Sequence, residues 1–96
     1  MLENLTVDSF AGHKDSTFRV VAGKDLAFDV TLAEVNPLGD SGPRIAFSLI
    51  FHASLAAPVL PQRIYRLEHE SLGMLDVFLV PLGPKGQVFR YEAIFT

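Results

Sequence analysis

The stretch LAFDVTLA at residues 26–33 decides the fold. Leu26, Phe28, Val30 and Leu32 alternate with Ala27, Asp29, Thr31 and Ala33, so a period of two gives one buried and one wetter face. The same period recurs on both sides. Upstream, Phe18, Val20 and Ala22 alternate with Arg19 and Val21, and Gly23, Lys24 and Asp25 close that run as a turn. Downstream, Ile45, Phe47, Leu49 and Phe51 alternate with Arg44, Ala46, Ser48, Ile50 and His52. Between these runs, residues 37–43 hold two prolines, two glycines, an Asp and a Ser, a loop composition.

Three further strands complete the pattern. In residues 62–68, Arg63, Tyr65 and Leu67 alternate with Gln62, Ile64, Arg66 and Glu68. A turn is expected at 69–73, then a strand over 74–80 that is apolar on both faces except for Asp76, as in a mid-sheet or covered strand. Residues 82–86 predict a tight connection into a last strand at 87–95, where Phe89, Tyr91, Ala93 and Phe95 alternate with Val88, Arg90, Glu92 and Ile94. The segment SLAAPVLP at 54–61 reads as an apolar loop over the sheet, because Pro58 and Pro61 each remove a backbone donor. Ahead of the first strand the period is helical. Thr6 is the expected N-cap, Asp8 sits in the first turn and Gly12 ends the helix, with Leu2, Leu5 and Phe10 pinning it to the core.

Six period-two runs joined by short turns predict a mainly β fold, an antiparallel six-stranded roll or small barrel with one short N-terminal helix. All eight phenylalanines fall in the expected helix or strands, where they are assigned to the core. A chain of 96 residues and 10.5 kDa has room for one core, so residues 1–96 are expected to form one domain. With 49% hydrophobic and 20% charged residues and a mean hydropathy of +0.30, the composition excludes intrinsic disorder.

Charge and motifs exclude more than they assign. Eight Lys and Arg against eleven Asp and Glu give a net charge of −3, which argues against a nucleic-acid grip that works by counterion release. No cysteine is present, so disulfides and thiolate chemistry are excluded. The opening MLENLTVDSFAGHK lacks the basic and apolar regions of a secretory signal, and no run is long enough for a membrane helix. The expected site of synthesis is the cytoplasm, with no membrane partner. Neither phosphate-binding glycine motif occurs, and Gly39, Gly42, Gly83 and Gly86 are read as turn residues.

Metal ligation would fall to His13, His52 and His69 with nearby carboxylates. Glu68-His69-Glu70 would place both glutamates on the side that His69 avoids, and no metal-binding spacing is present. The plainer reading of His69 is a turn histidine bonded to backbone. Ser48 and His52 share a strand face but lie about 13 Å apart at 3.3 Å per residue, too far to act as nucleophile and base. Asp29, Asp76 and Glu92, the mid-strand acids, read as solvent-facing positions. No metal, no cofactor and no catalytic residue is expected, and the chain is not expected to be an enzyme.

Surplus apolar surface is the more useful clue. Leu75, Val77 and Leu79 lie opposite Met74, Phe78 and Val80, and each face needs a cover, as does Ile50 behind Phe47 and Phe51. Either the N-terminal helix and the 54–61 loop supply the second cover, or part of this surface is an interface with a partner or a second copy of the chain.

The run LPQRIYRLEH at 60–69, then Leu72-Gly73, FLVP at 78–81 and YEAIF at 91–95, resembles a small bacterial domain family of unknown function. Leu5-Thr6, Phe10, Gly12 and Phe18 match its opening segment, so the resemblance covers nearly the whole chain. It implies no catalytic or binding residues. It does imply a gene neighbourhood of phage-tail-collar-like or fibre-like proteins, and through that a structural or assembly role.

The resulting expectation is a non-catalytic protein-interaction or assembly module, accessory to a phage-tail-like or fibre-like structural protein. Candidate partner-binding residues are Gln62, Tyr65 and His69 in the resemblance motif, with Leu75, Val77 and Leu79 on the penultimate strand. Gln62 and Tyr65 have opposite parity on a regular strand. The alternative is a small β-barrel that takes an apolar small molecule in its mouth. A hydrolase would need a Ser, His and carboxylate cluster that only the fold could assemble.

Overall fold

The computed structural model describes residues 6–41 and 44–95. It contains one short helix, α1 (Val7–Ala11), and six strands: β1 (Thr17–Val21), β2 (Ala27–Ser41), β3 (Arg44–Ser54), β4 (Arg63–His69), β5 (Gly73–Lys85) and β6 (Val88–Phe95). Every pairing is antiparallel, and the order β1-β2-β3-β6-β5-β4 closes on itself as a barrel. Closure rests on three residue pairs, Arg19 with Glu68, Val20 with Leu67 and Val21 with Arg66.

The alternation read from the sequence sets which side chains enter the barrel. Phe18, Val20, Val30, Leu32, Phe47, Leu49, Phe51, Tyr65, Leu67, Tyr91 and Ala93 are all buried inward-facing residues. Phe18 meets Phe51 edge-on with centroids 5.3 Å apart, a favourable aromatic geometry. The barrel's two ends are closed by segments outside the sheet. At one end α1 inserts Phe10, fully buried against Phe47 (5.7 Å) and Phe95 (5.5 Å). Thr6 N–H donates to Ser9 Oγ at 3.0 Å and satisfies a donor at the start of this one-turn helix. Leu2 and Leu5, the other expected pins, lie outside the described residues.

At the opposite end the 54–61 loop inserts Leu60, which is buried. Two inward tyrosines hold the loop's main chain. Leu60 N–H donates to Tyr91 Oη at 3.0 Å, and Tyr65 O–H donates to the Pro61 carbonyl. The helix and the loop therefore stopper the barrel rather than covering its outer face.

Two sequence expectations are corrected by longer strands. Residues 37–41, expected in a loop, continue β2, with Pro37 paired to Phe47 and Ser41 to Arg44. Bulges between Leu32 and Glu34 and between Pro37 and Gly39 absorb the irregular residues, which is how a strand tolerates Pro. Residues 82–85, expected in a connection, belong to β5 and pair with β6. A bulge between Pro81 and Gly83 bends the strand there, and Gly83 has φ +104, a conformation that favours glycine. These bends let β5 pair with β4 in its first half and with β6 in its second.

The loop stopper has a measurable energy. Leu60→Ala is expected to cost about 2–5 kcal/mol of stability. Tyr91→Phe, which leaves the Leu60 N–H without its acceptor, is expected to cost about 1–3 kcal/mol. Urea unfolding followed by circular dichroism reads both, and losses under about 0.5 kcal/mol would show that the loop does not stopper the barrel.

Candidate functional site

With the interior filled, the exceptional chemistry lies outside. On most of the barrel the outward residues are polar, as where Arg19 and Asp29 face each other from β1 and β2 at 3.6 Å. The ribbon of β4 and β5 differs. Its outward cross-strand pairs are Ile64 with Phe78, Arg66 with Asp76 and Glu68 with Met74. Ile64 is 65% exposed, Met74 63% and Phe78 47%, and Ile94 on β6 is 56% exposed. Phe78 is thus the one phenylalanine assigned to the core that stands in solvent. Ile50, expected to need a cover, is buried between Glu34 on β2 and Glu92 on β6.

The expected partner-binding residues separate. Gln62 is exposed just ahead of β4, Tyr65 is buried and bonded to Pro61, and His69 is half-buried at the far end of the strand. Leu75, Val77 and Leu79 line the barrel interior at 7%, 2% and 1% exposure, so they are core and not contact residues. Both faces of this strand are apolar, and period alone does not say which one the barrel encloses. The exposed face is the alternate set, Met74 and Phe78, flanking Asp76.

His69 sits in a second cluster, at the turn from β4 to β5. Its Nδ1 accepts from the backbone N–H groups of Ser71 (3.0 Å) and Leu72 (3.1 Å), the backbone role the sequence suggested. An acceptor at Nδ1 puts the neutral ring's proton on Nε2, which donates to Ser16 Oγ at 3.0 Å, and Ser16 O–H donates to the His13 carbonyl. The His13 ring meets His69 edge-on at 4.7 Å, and Phe18 lies 4.4 Å away. Ser16 escaped the sequence reading, and His13 entered it only as a candidate metal ligand, because Ser16 is 53 residues from His69 and meets it only on barrel closure.

This pair assembles the Ser and His that a hydrolase would require, but with the opposite polarity. A base must offer Ser16 a lone pair at Nε2, and Nε2 here carries the proton. Among the described residues, no group of three His, Cys, Asp or Glu could hold a metal ion. Nor is any helix among them long and apolar enough to cross a membrane.

Burial lowers the His69 pKa below the usual histidine value, and His13 lowers it further, against a smaller upward pull from Glu70. The folded state therefore takes up a second ring proton less readily than the unfolded chain. Its contribution to stability is complete above the unfolded histidine value of about 6.5 and is lost as pH falls below it. Urea midpoints at pH 7.5 and 5.5 are expected to drop on acidification, and His69→Gln is expected to reduce that drop. An equal drop in the variant would contradict this lowering of the His69 pKa on folding.

No curated protein and no solved structure matches this chain. A family described as "Domain of unknown function (DUF6916)" matches residues 5–95, from ahead of the helix to the end of β6. The barrel, its two stoppers and the exposed β4–β5 ribbon all lie within that span, and the chain belongs to this family.

Proposed function

We propose that this protein is a non-catalytic interaction or assembly module, accessory to a phage-tail-like or fibre-like structural protein of a bacterial host. The observation that carries the reading is the set of exposed apolar residues Ile64, Phe78 and Met74 on the β4–β5 ribbon, outside a barrel whose interior is already filled. Fully covering an Ile or Phe side chain is worth about 1.5–3 kcal/mol. A partner covering these residues gains several such contributions without disturbing the core. The Arg66–Asp76 pair between the apolar residues adds a polar element that can set register.

The His69 cluster supports the non-catalytic part, since its hydrogen bonds serve a turn and a connector. The alternative of an apolar ligand in the barrel mouth is less well supported. Phe10 and Leu60 occupy the two ends, and Phe18, Phe51 and Tyr91 occupy the space between.

The tagged protein, recovered from its own host, is expected to bring down a tail-collar-like or fibre-like protein at fixed stoichiometry, read by mass spectrometry and light scattering. The double variant Ile64→Lys, Phe78→Lys is expected to melt close to the parent yet lose at least about tenfold in recovery. A parent recovered as a monomer without such a partner, or a double variant with undiminished recovery, would overturn the proposal.

A further inference from the structure

The pairing pattern leaves part of one strand with a single neighbour. Along Gly73–Leu79, β5 pairs with β4, and its pairing with β6 begins only at Val80, opposite Glu92. Beyond Glu92, β6 pairs through Ala93, Ile94 and Phe95 with β3 alone. Among the described residues, the first half of β5 therefore presents a main-chain edge of seven residues, about 23 Å at 3.3 Å per residue. Such an edge is a template for strand addition. The side chains beside it are unequal: Leu75 and Val77 are buried inward, while Met74, Asp76 and Phe78 are exposed outward.

We infer that this half-edge of β5 accepts an extended strand from a partner protein, with Lys or Arg opposite Asp76 and apolar residues two positions to either side. The inference rests on the interaction-module reading and specifies how the partner docks. Alternation in the added strand puts those three side chains on the outer face, where the apolar pair lies beside Met74 and Phe78 and the cation faces the Asp76 carboxylate. The same carboxylate selects against a second copy of this chain. Two β5 edges paired antiparallel about Asp76 would set like charges opposite each other, a destabilising pair. Asp76, which also faces Arg66 on β4, thus disfavours self-association through the edge while favouring a basic strand there.

The probe is a capped seven-residue peptide that alternates threonine and isoleucine, with lysine in place of the central residue and isoleucine two positions to each side. Titrated into the isotope-labelled full chain, it is expected to shift the backbone amides of residues 73–79 in a saturable way. A peptide with glutamate at the centre is expected to bind about 3–10-fold more weakly. Asp76→Lys is expected to invert that order, and Asp76→Asn to bring the two peptides within about twofold. Absence of saturable shifts at 73–79, or an order unchanged in Asp76→Lys, would overturn the inference. So would concentration-dependent dimerisation through this edge. Continued recovery of the host partner by Asp76→Lys, together with its loss in Ile64→Lys, Phe78→Lys, would place docking on the face and reject the edge while leaving the module reading intact. Failure of the parent to recover any tail-like partner rejects the module reading itself.

Discussion

Six strands closed on themselves leave an interior only wide enough for side chains, since barrel diameter grows with strand number and eight strands already fill their interior. That constraint governs the rest of the molecule. Phe18, Phe51, Leu32, Leu49 and Tyr91 consume the enclosed volume, and the openings at the two ends are taken by Phe10 and Leu60. Polar groups carried inward serve the same closure. Tyr91 and Tyr65 bring their hydroxyls to the loop stopper, where one accepts from Leu60 and the other donates to Pro61. A chain organised in this way leaves its outer face as the surface open to contact.

The same closure explains where the outside is exceptional. β1 is short and meets β4 through three pairs, while β6 stops pairing with β5 beyond Glu92. The ribbon of β4 and β5 is therefore the least supported part of the ring, flanked by partial pairing on both sides. Ile64, Met74 and Phe78 stand exposed on it, with Ile64 and Phe78 directly opposite each other. Its turn is held by His69, whose bonds to Ser71, Leu72 and Ser16 tie the ribbon to the α1–β1 connector. Support at the turn and freedom along the edge together make the ribbon a fixed platform with an available side.

Alternation of side chains made most of this fold legible. Residues 26–33 and 45–51 carried clean period-two patterns, and Val30, Leu32, Phe47, Leu49 and Phe51 from the expected inward sets are buried, although Ser48 and Ile50 on the other face are buried as well. Pro37, Gly39, Pro81 and Gly83 misdirected the reading because turn and bulge draw on the same residue types. The strand around Asp76 resisted for another reason. Leu75, Val77 and Leu79 are as apolar as Met74 and Phe78 together, and only the ring's closure selects the enclosed set. Contacts made by closure, such as Ser16 with His69, have no local signature. The role of His69 was legible in part, because a histidine between two glutamates at a turn points to a backbone partner.

Hydrogen exchange of the chain, free and bound to the partner recovered from its host, tests the central claim most directly. A filled barrel with an outward recognition ribbon requires new amide protection concentrated in β4 and the first half of β5, with both stoppers unchanged. New protection confined to α1 or the 54–61 loop, with none along β4 and β5, would contradict it.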